Sequence, residues 1–266
     1  MLLAIDIGNT NIVFGCADDN DNIILSERIS TSHSATSAEY AVLMDSILRM
    51  NGFDPKNITD AVMSSVVPSV TNTVREAVDK LFDIDVMTAA PGVKTGLNIL
   101  IDNPRQLGSD QVVDAVGAVN NYPVPLIIID MGTATTVSVV DINKNYLGGL
   151  IMTGMKTATD ALIQRTAQLP KIDFELPESI IGTNTIDCMK NGALYSNACA
   201  LDGIIERIEE KLGEKCTVIA TGGLAEVVVP LCRRDIILDK NLLIKGLTII
   251  HRKNNKKQEE KNHAVH

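Results

Sequence analysis

The chain has 266 residues, which is enough for one large domain or for two domains of ordinary size. Its formal net charge of -9 argues against a general nucleic-acid-binding or anionic-membrane-binding surface, because such surfaces carry an excess of lysine and arginine. Hydrophobic residues make up 45% of the chain but aromatic residues only 3%, so we expect aliphatic cores.

The first half of the chain alternates between strand and helix patterns. Three strands are predicted within residues 2–30, where a turn at Gly8 and a polar cluster at 18–22 separate apolar runs. Apolar residues at helical spacing then predict a helix from about Thr36 to Met50. The later elements are a strand at 61–63, a helix from Pro68 to Leu81, a strand at 85–88 and, after a loop, a helix from about Ser109 to Asn120. The order before that loop is βββαβαβ.

The second half repeats this order. Its predicted strands lie near 126–130, 134–141, 144–149, 217–220 and 236–238, and its main helices at about 153–168, 185–212 and 242–250. The helix at 185–212 is expected to bend or break near Gly192 and Gly203. The duplicated order predicts an α/β fold of the actin-like ATPase (ribonuclease H-like) type, with a nucleotide cleft between the halves. The predicted parts are 1–120 for the first half, 121–252 for the second half with inserted helices, and 253–266 for a polar, disordered tail.

Two tight turns that open with Asp-x-Gly occupy matching places in the two halves. The first is Asp6–Asn11 and the second is Asp130–Thr136, and each lies between two apolar or β-branched runs. Their glycines allow backbone N–H groups to approach a phosphate closely. Asp6 and Asp130 would bring two carboxylates to the same phosphates, which requires a cation between them. The alternative is that both are ordinary hairpin turns, but their matching places favour a nucleotide site.

A third glycine-rich stretch, Thr221-Gly222-Gly223, follows a predicted strand and opens a short helix. A helix N-terminus preceded by glycines can hold a phosphate or let an adenosine lie against the backbone. The same residues also fit a tight strand-to-helix turn without a ligand. In a fold of this type we favour contact with the nucleotide.

A candidate general base lies in Gly108-Ser109-Asp110-Gln111, at the start of a predicted helix. A carboxylate near the γ-phosphate can accept the proton that an alcohol loses when it attacks phosphorus. The alternative is that Ser109 or Asp110 only caps the helix, whose dipole favours a carboxylate in the first turn. Both interpretations of Asp110 stay open at this point.

Other chemistries have no motif in the sequence. The chain lacks the G-x-x-x-x-G-K-[ST] phosphate loop, the protein-kinase set and the G-x-S-x-G nucleophile motif. The five cysteines show neither C-x-x-C nor a metal-ligand spacing, so we expect free thiols in a reducing compartment. Without a signal peptide or an apolar stretch of membrane-spanning length, we expect a cytoplasmic protein with no membrane or nucleic-acid partner.

Together these motifs resemble the type III pantothenate kinase family. The likeness rests on Asp-x-Gly-Asn-Thr near the N-terminus, Gly-x-Asp before a helix, Asp-x-Gly-Thr-Ala-Thr-Thr, the pair Gly148-Gly149 and the late Thr-Gly-Gly, in that order. It also covers Asn103-Pro104-Arg105, Asp160-Ala161-Leu162 and Asn184-Thr185, and it extends to about residue 251. The resemblance implies an actin-like fold, a homodimer and ATP-dependent phosphorylation of pantothenate, the first step of coenzyme A synthesis. It further implies Mg²⁺ and a monovalent cation, potassium or ammonium, as cofactors.

The resemblance also implies roles for individual residues. Asp110 would be the general base, Asp6 would lie near Mg²⁺, and Asp130 would help to hold the monovalent cation. The residues implied to bind ATP are Asp6, Ile7, Gly8, Asn9, Thr10, Asn11, Ile12, Val13, Thr133, Gly222 and Gly223. The residues implied at the pantothenate site are Ile101, Gly108, Ser109, Asp110, Gln111 and Thr185.

Three positions differ from the family pattern. Gln111 stands where the family usually has arginine, Ile101 where it usually has tyrosine, and Thr153 where it usually has proline. The first two belong to the acceptor site, where glutamine cannot supply the fixed charge of arginine. Two alternatives therefore stay open: a kinase of the same fold that acts on a different alcohol, and a nucleotide-binding paralogue with little kinase activity.

Overall fold

The computed structural model describes residues 1–263, and their side chains as far as Asn255. Its strands are β1 (Leu2–Ile7), β2 (Asn11–Ala17), β3 (Ile23–Ser30), β4 (Asp60–Ser65), β5 (Val86–Thr88), β6 (Asn98–Ile99), β7 (Leu126–Met131), β8 (Ala134–Val140), β9 (Asn145–Thr153), β10 (Thr217–Thr221) and β11 (Ile237–Leu238). Its helices are α1 (Ser37–Met50), α2 (Pro68–Phe82), α3 (Ser109–Asn121), α4 (Met155–Gln164), α5 (Thr185–Leu212), α6 (Ala225–Val228) and α7 (Leu242–His263). Among the described residues, none of the helices combines the length and the hydrophobicity that a membrane span requires.

The first structural unit contains a five-stranded mixed sheet. It comprises residues 1–97, residues 103–120 and the chain from Asn241 onward, and its strand order is β3-β2-β1-β4-β5. β1 pairs antiparallel with β2 and parallel with β4, and this register places Asp6 beside Ser64. The carboxyl ends of β1 and β4 therefore lie at the same edge of the sheet, next to the turn between β1 and β2.

The second unit contains a six-stranded sheet with the same connectivity. It comprises residues 98–102 and 121–240, and its strand order is β11-β10-β7-β8-β9-β6. The strands β7, β8 and β9 form an antiparallel meander, and β10 is added parallel to β7 as β4 is to β1. The predicted duplication is therefore confirmed, and the short strand β6 is an addition from the segment that was predicted as a loop.

The central strand of the first unit is buried on both faces, which explains its unbroken apolar sequence. Leu3, Ile5 and Ile7 lie in a cluster with apolar residues of α1 and α2. Leu2 and Ala4 point to the opposite face, where they join residues of α3 and α7. The strand thus needs helices on both sides.

The last helix differs from its prediction in both length and placement. α7 continues to His263 instead of ending near residue 250, and it belongs to the first unit although we assigned its sequence to the second half. Ile244 and Leu247 pack in the cluster that contains Leu2 and Ala4. The domain prediction was wrong here because the apolar stripe of a helix requires a partner but does not identify it.

The close approach of α7 to α3 depends on two glycines. A side chain at Gly246 would collide with the backbone of Val113, and one at Gly117 would lie 2.5 Å from the Leu242 carbonyl oxygen. The two helices therefore pack with little space between their backbones.

The start of the predicted disordered tail is ordered by contacts within the first unit. Lys253 Nζ donates to the Thr95 carbonyl at 3.0 Å, and Asn254 Nδ2 donates to the Lys94 carbonyl at 3.1 Å. These bonds and the continuation of α7 overturn the prediction that disorder begins at residue 253. Residues 264–266, which were assigned to the same tail, lie outside the described residues.

The long helix α5 is continuous, which excludes a break at Gly192 or Gly203, while a bend there stays a prediction. Its N-cap is Asn184, whose side chain accepts a hydrogen bond from the Asp187 N–H, and its C-cap is Gly213 with φ of 77°. α4 ends at Gln164, four residues before its predicted end at residue 168.

Candidate functional site

The first Asp-x-Gly turn is closed by backbone bonds and tied to β3. The Gly8 N–H donates to the Asn11 carbonyl at 3.0 Å. The end of β3 adds two bonds, from the Thr31 N–H to the Thr10 carbonyl at 2.9 Å and from the Thr31 hydroxyl to the Gly8 carbonyl at 2.7 Å. Asn9 and Thr10 at the tip of the turn are exposed. The turn therefore presents exposed residues on a short loop that hydrogen bonds hold in place.

The predicted ATP-binding residues of this segment differ in their exposure. Ile7 and Ile12 are buried in the apolar core, so only their backbone groups are available to a ligand. Gly8, Asn9 and Thr10 form the accessible part of the turn. Val13 is half-buried and packs against the cluster on the other face of the sheet.

Asp6 is nearly buried and is held by a residue that sequence reasoning missed. Its side chain is 7% exposed, and the hydroxyl of the fully buried Ser64 donates to Asp6 Oδ1 at 2.6 Å. Both residues lie near the carboxyl ends of neighbouring parallel strands. The only sequence signal was that Ser64 and Ser65 follow an apolar strand at the position where site residues commonly lie in such folds.

The start of α3 carries the candidate general base. Asp110 is half-buried, and among the described contacts its carboxylate accepts one hydrogen bond, from the Gln111 N–H to Oδ1 at 2.8 Å. The Ser109 hydroxyl donates to the Ser65 carbonyl at 3.2 Å, which fixes the start of the helix to the end of β4. Asp110 thus makes a capping contact with one oxygen, and this contact is compatible with a role for the other oxygen as a base.

The second Asp-x-Gly turn is backed by the start of α4. The Gly132 N–H donates to the Ala134 carbonyl at 3.0 Å, and the Thr157 hydroxyl donates to the Thr133 carbonyl at 2.8 Å. A side chain at Gly154, the residue before α4, would collide with the carbonyl oxygens of both Gly132 and Thr133. Gly154, the glycine that remains of the expected Pro-Gly pair, therefore serves close packing behind the turn.

The third glycine stretch lies directly against Asp130. Thr221 pairs with Asp130 in the register of β10 and β7. Gly222 has φ of 90°, and a Cβ atom there would lie 2.5 Å from Asp130 Oδ1 and 2.6 Å from the Met131 nitrogen. The structure therefore brings Asp130, Thr133 and Gly222 together at one edge of the second sheet, with the exposed Gly223 beside them.

The predicted acceptor-site residues belong to both units. Gly108, Ser109, Asp110 and Gln111 belong to the first unit, whereas Ile101 and Thr185 belong to the second. Ile101 lies near Gly148, where a Cβ atom would approach its Cγ2 to 3.6 Å. That the two groups meet at one substrate stays a prediction.

A cavity of about 740 Å³ lies between α4 and α5 in the second unit. Thr185 is exposed at its edge, in the first turn of α5. Its apolar lining includes Leu162, Leu169, Met189 and Ala193. The cavity combines polar groups at a helix start with an apolar wall, which suits a small molecule with polar and apolar parts.

The donor groups suit a metal that is held mainly by its nucleotide. Within the described part of the chain, no three or more His, Cys, Asp or Glu side chains cluster in a way that could hold a metal ion. Mg²⁺ in nucleotide sites is usually bound by one or two carboxylates together with phosphate oxygens and water. A lone carboxylate such as Asp6, beside exposed backbone donors, fits this arrangement.

The cysteines take no part in either turn. All five are free, and burial raises the pKa of Cys16 to about 11 and that of Cys232 to about 12. Such thiols are protonated at neutral pH and are poor nucleophiles.

Comparisons with known proteins agree on one family. A family described as type III pantothenate kinase matches residues 2–207. A type III pantothenate kinase from an Exiguobacterium species is 40% identical over 256 residues, which cover 96% of this chain and 100% of the relative. Another, from Halalkalibacterium halodurans, is 39% identical over 254 residues, with the same coverage of both chains.

A solved structure extends the likeness to the fold. The activator of the 2-hydroxyisocaproyl-CoA dehydratase from Clostridium difficile, with bound ADPNP, superposes with a TM-score of 0.53 at 13% identity, over 98% of this chain and 97% of that one. At this level of identity the comparison concerns the fold alone. The fold is that of an actin-like ATPase, as the duplicated strand order predicted.

Proposed function

Because this chain belongs to the type III pantothenate kinase family, we propose that it transfers the γ-phosphate of ATP to the primary hydroxyl of pantothenate. The product is 4'-phosphopantothenate, and the reaction is the first step of coenzyme A synthesis. The observation that carries the chemistry is the start of α3, where the half-buried Asp110 carboxylate accepts one hydrogen bond among the described contacts, at Oδ1.

Asp110 is the general base of the proposed reaction. The Gln111 N–H fixes Oδ1, and the anchor between Ser109 and Ser65 fixes the first turn of the helix. Oδ2 is then the oxygen that accepts the proton of the attacking hydroxyl as it approaches phosphorus. A carboxylate whose position is set before the substrate binds loses little entropy on reaching the reactive geometry.

Residues of the two turns would neutralise part of the charge on the transferred phosphate. The exposed residues Asn9 and Thr10 in the first turn, and Thr133 in the second, are the proposed phosphate contacts, with Gly222 and Gly223 beside the nucleotide. Asp6 would hold Mg²⁺, which neutralises phosphate charge and aligns the γ-phosphate. The proposed role of Asp130 is to help hold a monovalent cation near the same phosphates.

The acceptor is proposed to lie against Ile101, Gly108–Gln111 and Thr185. The Gln111 side chain can donate to or accept from the polar groups of pantothenate, but it brings no charge. The cavity beside Thr185 has an apolar wall of the kind that the dimethyl group of pantothenate requires. These features support the assignment of pantothenate despite the two departures from the family pattern.

We also propose that the protein is a homodimer and is cytoplasmic. The dimer is supported by large apolar side chains that the second unit leaves exposed, among them Leu150, Ile151, Ile181 and Ile186. A cytoplasmic location is supported by the five free cysteines. Sedimentation of the purified protein at several concentrations tests the dimer, and a monomer at micromolar concentration would contradict it.

The test of function measures ADP release from ATP, Mg²⁺ and pantothenate, with potassium, with ammonium and with neither. We expect pantothenate-dependent turnover that requires one of the two cations. Turnover without either cation would contradict the role of Asp130 but not the kinase. ATP binding without turnover would point to a different alcohol or to a nucleotide-binding paralogue, and a panel of primary alcohols separates these two.

A further inference from the structure

Ser64 is a buried polar residue that directly follows three apolar core residues of β4. β4 contributes Ala61, Val62 and Met63 to the cores, but Ser64 is 0% exposed and carries a hydroxyl. A buried hydroxyl costs free energy unless it is hydrogen-bonded, and Ser64 meets this need by donating to Asp6 Oδ1 at 2.6 Å. The parallel register places the two residues side by side on neighbouring strands.

This bond is of the short, charge-assisted kind. Hydroxyl-to-carboxylate bonds of 2.5–2.7 Å are stronger than neutral ones. Asp6 is 7% exposed, so water contributes little to holding its carboxylate. The Ser64 hydroxyl therefore restricts rotation of the carboxylate about its Cβ–Cγ bond.

We propose that Ser64 is a positioning residue that orients the Asp6 carboxylate for the complex of ATP with Mg²⁺. The inference rests on the role given to Asp6 in the proposed function. Groups that hydrogen-bond a metal-binding carboxylate fix its direction before the metal arrives, and removing them typically costs 10- to 100-fold in metal affinity or activity. Ser64 is such a group, because its hydroxyl donates a hydrogen bond to the Asp6 carboxylate.

Ser65, the residue after Ser64, is hydrogen-bonded to the helix start that carries the proposed general base. The Ser65 carbonyl accepts the hydrogen bond of the Ser109 hydroxyl, directly before Asp110. The dipeptide Ser64-Ser65 at the end of β4 therefore bonds the Asp6 carboxylate through the Ser64 side chain and, through the Ser65 carbonyl, the residue directly before Asp110. This strand end is well placed to keep the two candidate site carboxylates in a fixed relation.

The test compares ATP affinity with Mg²⁺ and with a chelator, by titration calorimetry in the absence of pantothenate. For Ser64→Ala we expect affinity for ATP to fall about tenfold or more with Mg²⁺ and to stay unchanged with the chelator. Ser64→Cys fills the space of the hydroxyl with a slightly larger thiol that is only a weak donor, so it should show the same selective loss. Ser64→Cys provides the test if alanine at this buried position prevents folding.

Ser138→Ala is the matched control. Ser138 is also a buried strand serine, 2% exposed, whose hydroxyl lies 3.0 Å from the Tyr146 hydroxyl. We expect this variant to lower the unfolding midpoint of the ligand-free protein about as much as Ser64→Ala does, without the Mg²⁺-selective loss of ATP affinity.

A double-mutant cycle identifies the route of the effect. If Ser64 acts through Asp6, then Ser64→Ala should cause no further Mg²⁺-dependent loss in an Asp6→Asn background. Additive losses, equal losses with and without Mg²⁺, or no loss would each overturn the inference. Because the titrations need no pantothenate, a protein that shows the selective loss but does not phosphorylate pantothenate would contradict the proposed function and leave this inference standing.

Discussion

The two Asp-x-Gly turns occupy equivalent places in sheets of the same strand order, yet different interactions support them. In the first unit the support is polar: Ser64 bonds Asp6, and Thr31 makes two bonds to the turn. In the second unit close packing accompanies the hydrogen bond from Thr157, because Gly154 and Gly222 leave no room for a Cβ atom beside the turn.

This difference shows that duplicated topology fixes where a turn lies but not what holds it there. We expect the first turn to be most sensitive to the loss of a hydrogen-bond donor and the second to added volume. The following substitutions test that contrast in order of expected effect.

The largest effect is expected in the first unit, at the general base. Asp110→Asn keeps the size of the side chain but removes the proton acceptor, so kcat should fall about 10²- to 10⁴-fold while ATP affinity changes little. Steady-state kinetics and ATP titration measure the two quantities. Asp79→Asn, on the exposed face of α2, is the control and should be neutral. A loss of only a few-fold in kcat would show that another group is the base.

Added volume in the second unit should have the next largest effect. Gly222→Ala forces a positive φ on alanine and places its Cβ against Asp130 and Met131, so we expect the free energy of unfolding to fall by about 2–5 kcal/mol. Urea denaturation measures it. Gly213→Ala has φ of 77° but open space around it, and should lose only the backbone part, about 1–2 kcal/mol. Equal losses in the two variants would show that packing beside Asp130 is not tight.

Donor removal gives a direct comparison between the turns. Thr31→Val deletes a half-buried bond to Gly8 and should cost about 1 kcal/mol of stability with a raised KM for ATP. Thr157→Val deletes an exposed bond to Thr133 and should change stability by less than about 0.5 kcal/mol. Thr→Ser variants at both positions retain the donor and act as controls. A larger effect at Thr157 would reverse the contrast.

The smallest effect concerns acid sensitivity, which should arise in the first unit. All four histidines lie outside residues 121–240, and His251 is buried. Burial lowers the pKa of His251, and the nearby Arg252 adds to this, although Asp60 and Asp21 act in the opposite direction. Asp60 lies 3.7 Å from Nε2, but we give desolvation more weight because that distance exceeds a hydrogen bond.

The direction in which stability changes with pH follows from the lowered pKa of His251. Below an unfolded pKa of about 6.5 the unfolded chain binds the proton more readily than the folded chain, so stability falls as the pH decreases. The free energy of unfolding, measured at pH 7.5 and at pH 5.5, should fall less between these two pH values for His251→Gln than for the unsubstituted chain. An unchanged loss would assign the acid sensitivity to other groups.

Local patterns were enough to predict most of the fold. The apolar run of β1, the start of α2 at Pro68 and the helix at 185–212 depend on periodicity, proline and capping residues that are close together in the chain. The placement of α7 was not predictable in this way, because its partners Leu2 and Ala4 are more than two hundred residues away.

The candidate site likewise has features that local sequence predicts and features that depend on distant residues. The glycine turns were predictable because a tight turn leaves its mark on a few consecutive residues. Ser64 was missed because its importance comes from the parallel register that sets it beside Asp6, and pairing between distant strands has no local signal. Gly222 was predicted as a nucleotide contact, while its close packing against Asp130 is visible only in three dimensions.

The membership of α7 in the first unit affects the order in which the chain folds as it is synthesised. Residues 241–255 emerge from the ribosome only after the whole of the second unit, yet they cover one face of β1. The first unit, although translated first, therefore cannot complete that face until α7 has been synthesised, whereas all residues of the second unit are available earlier. For such a chain, the usual N-terminal-first order of folding leaves the first unit to be completed last.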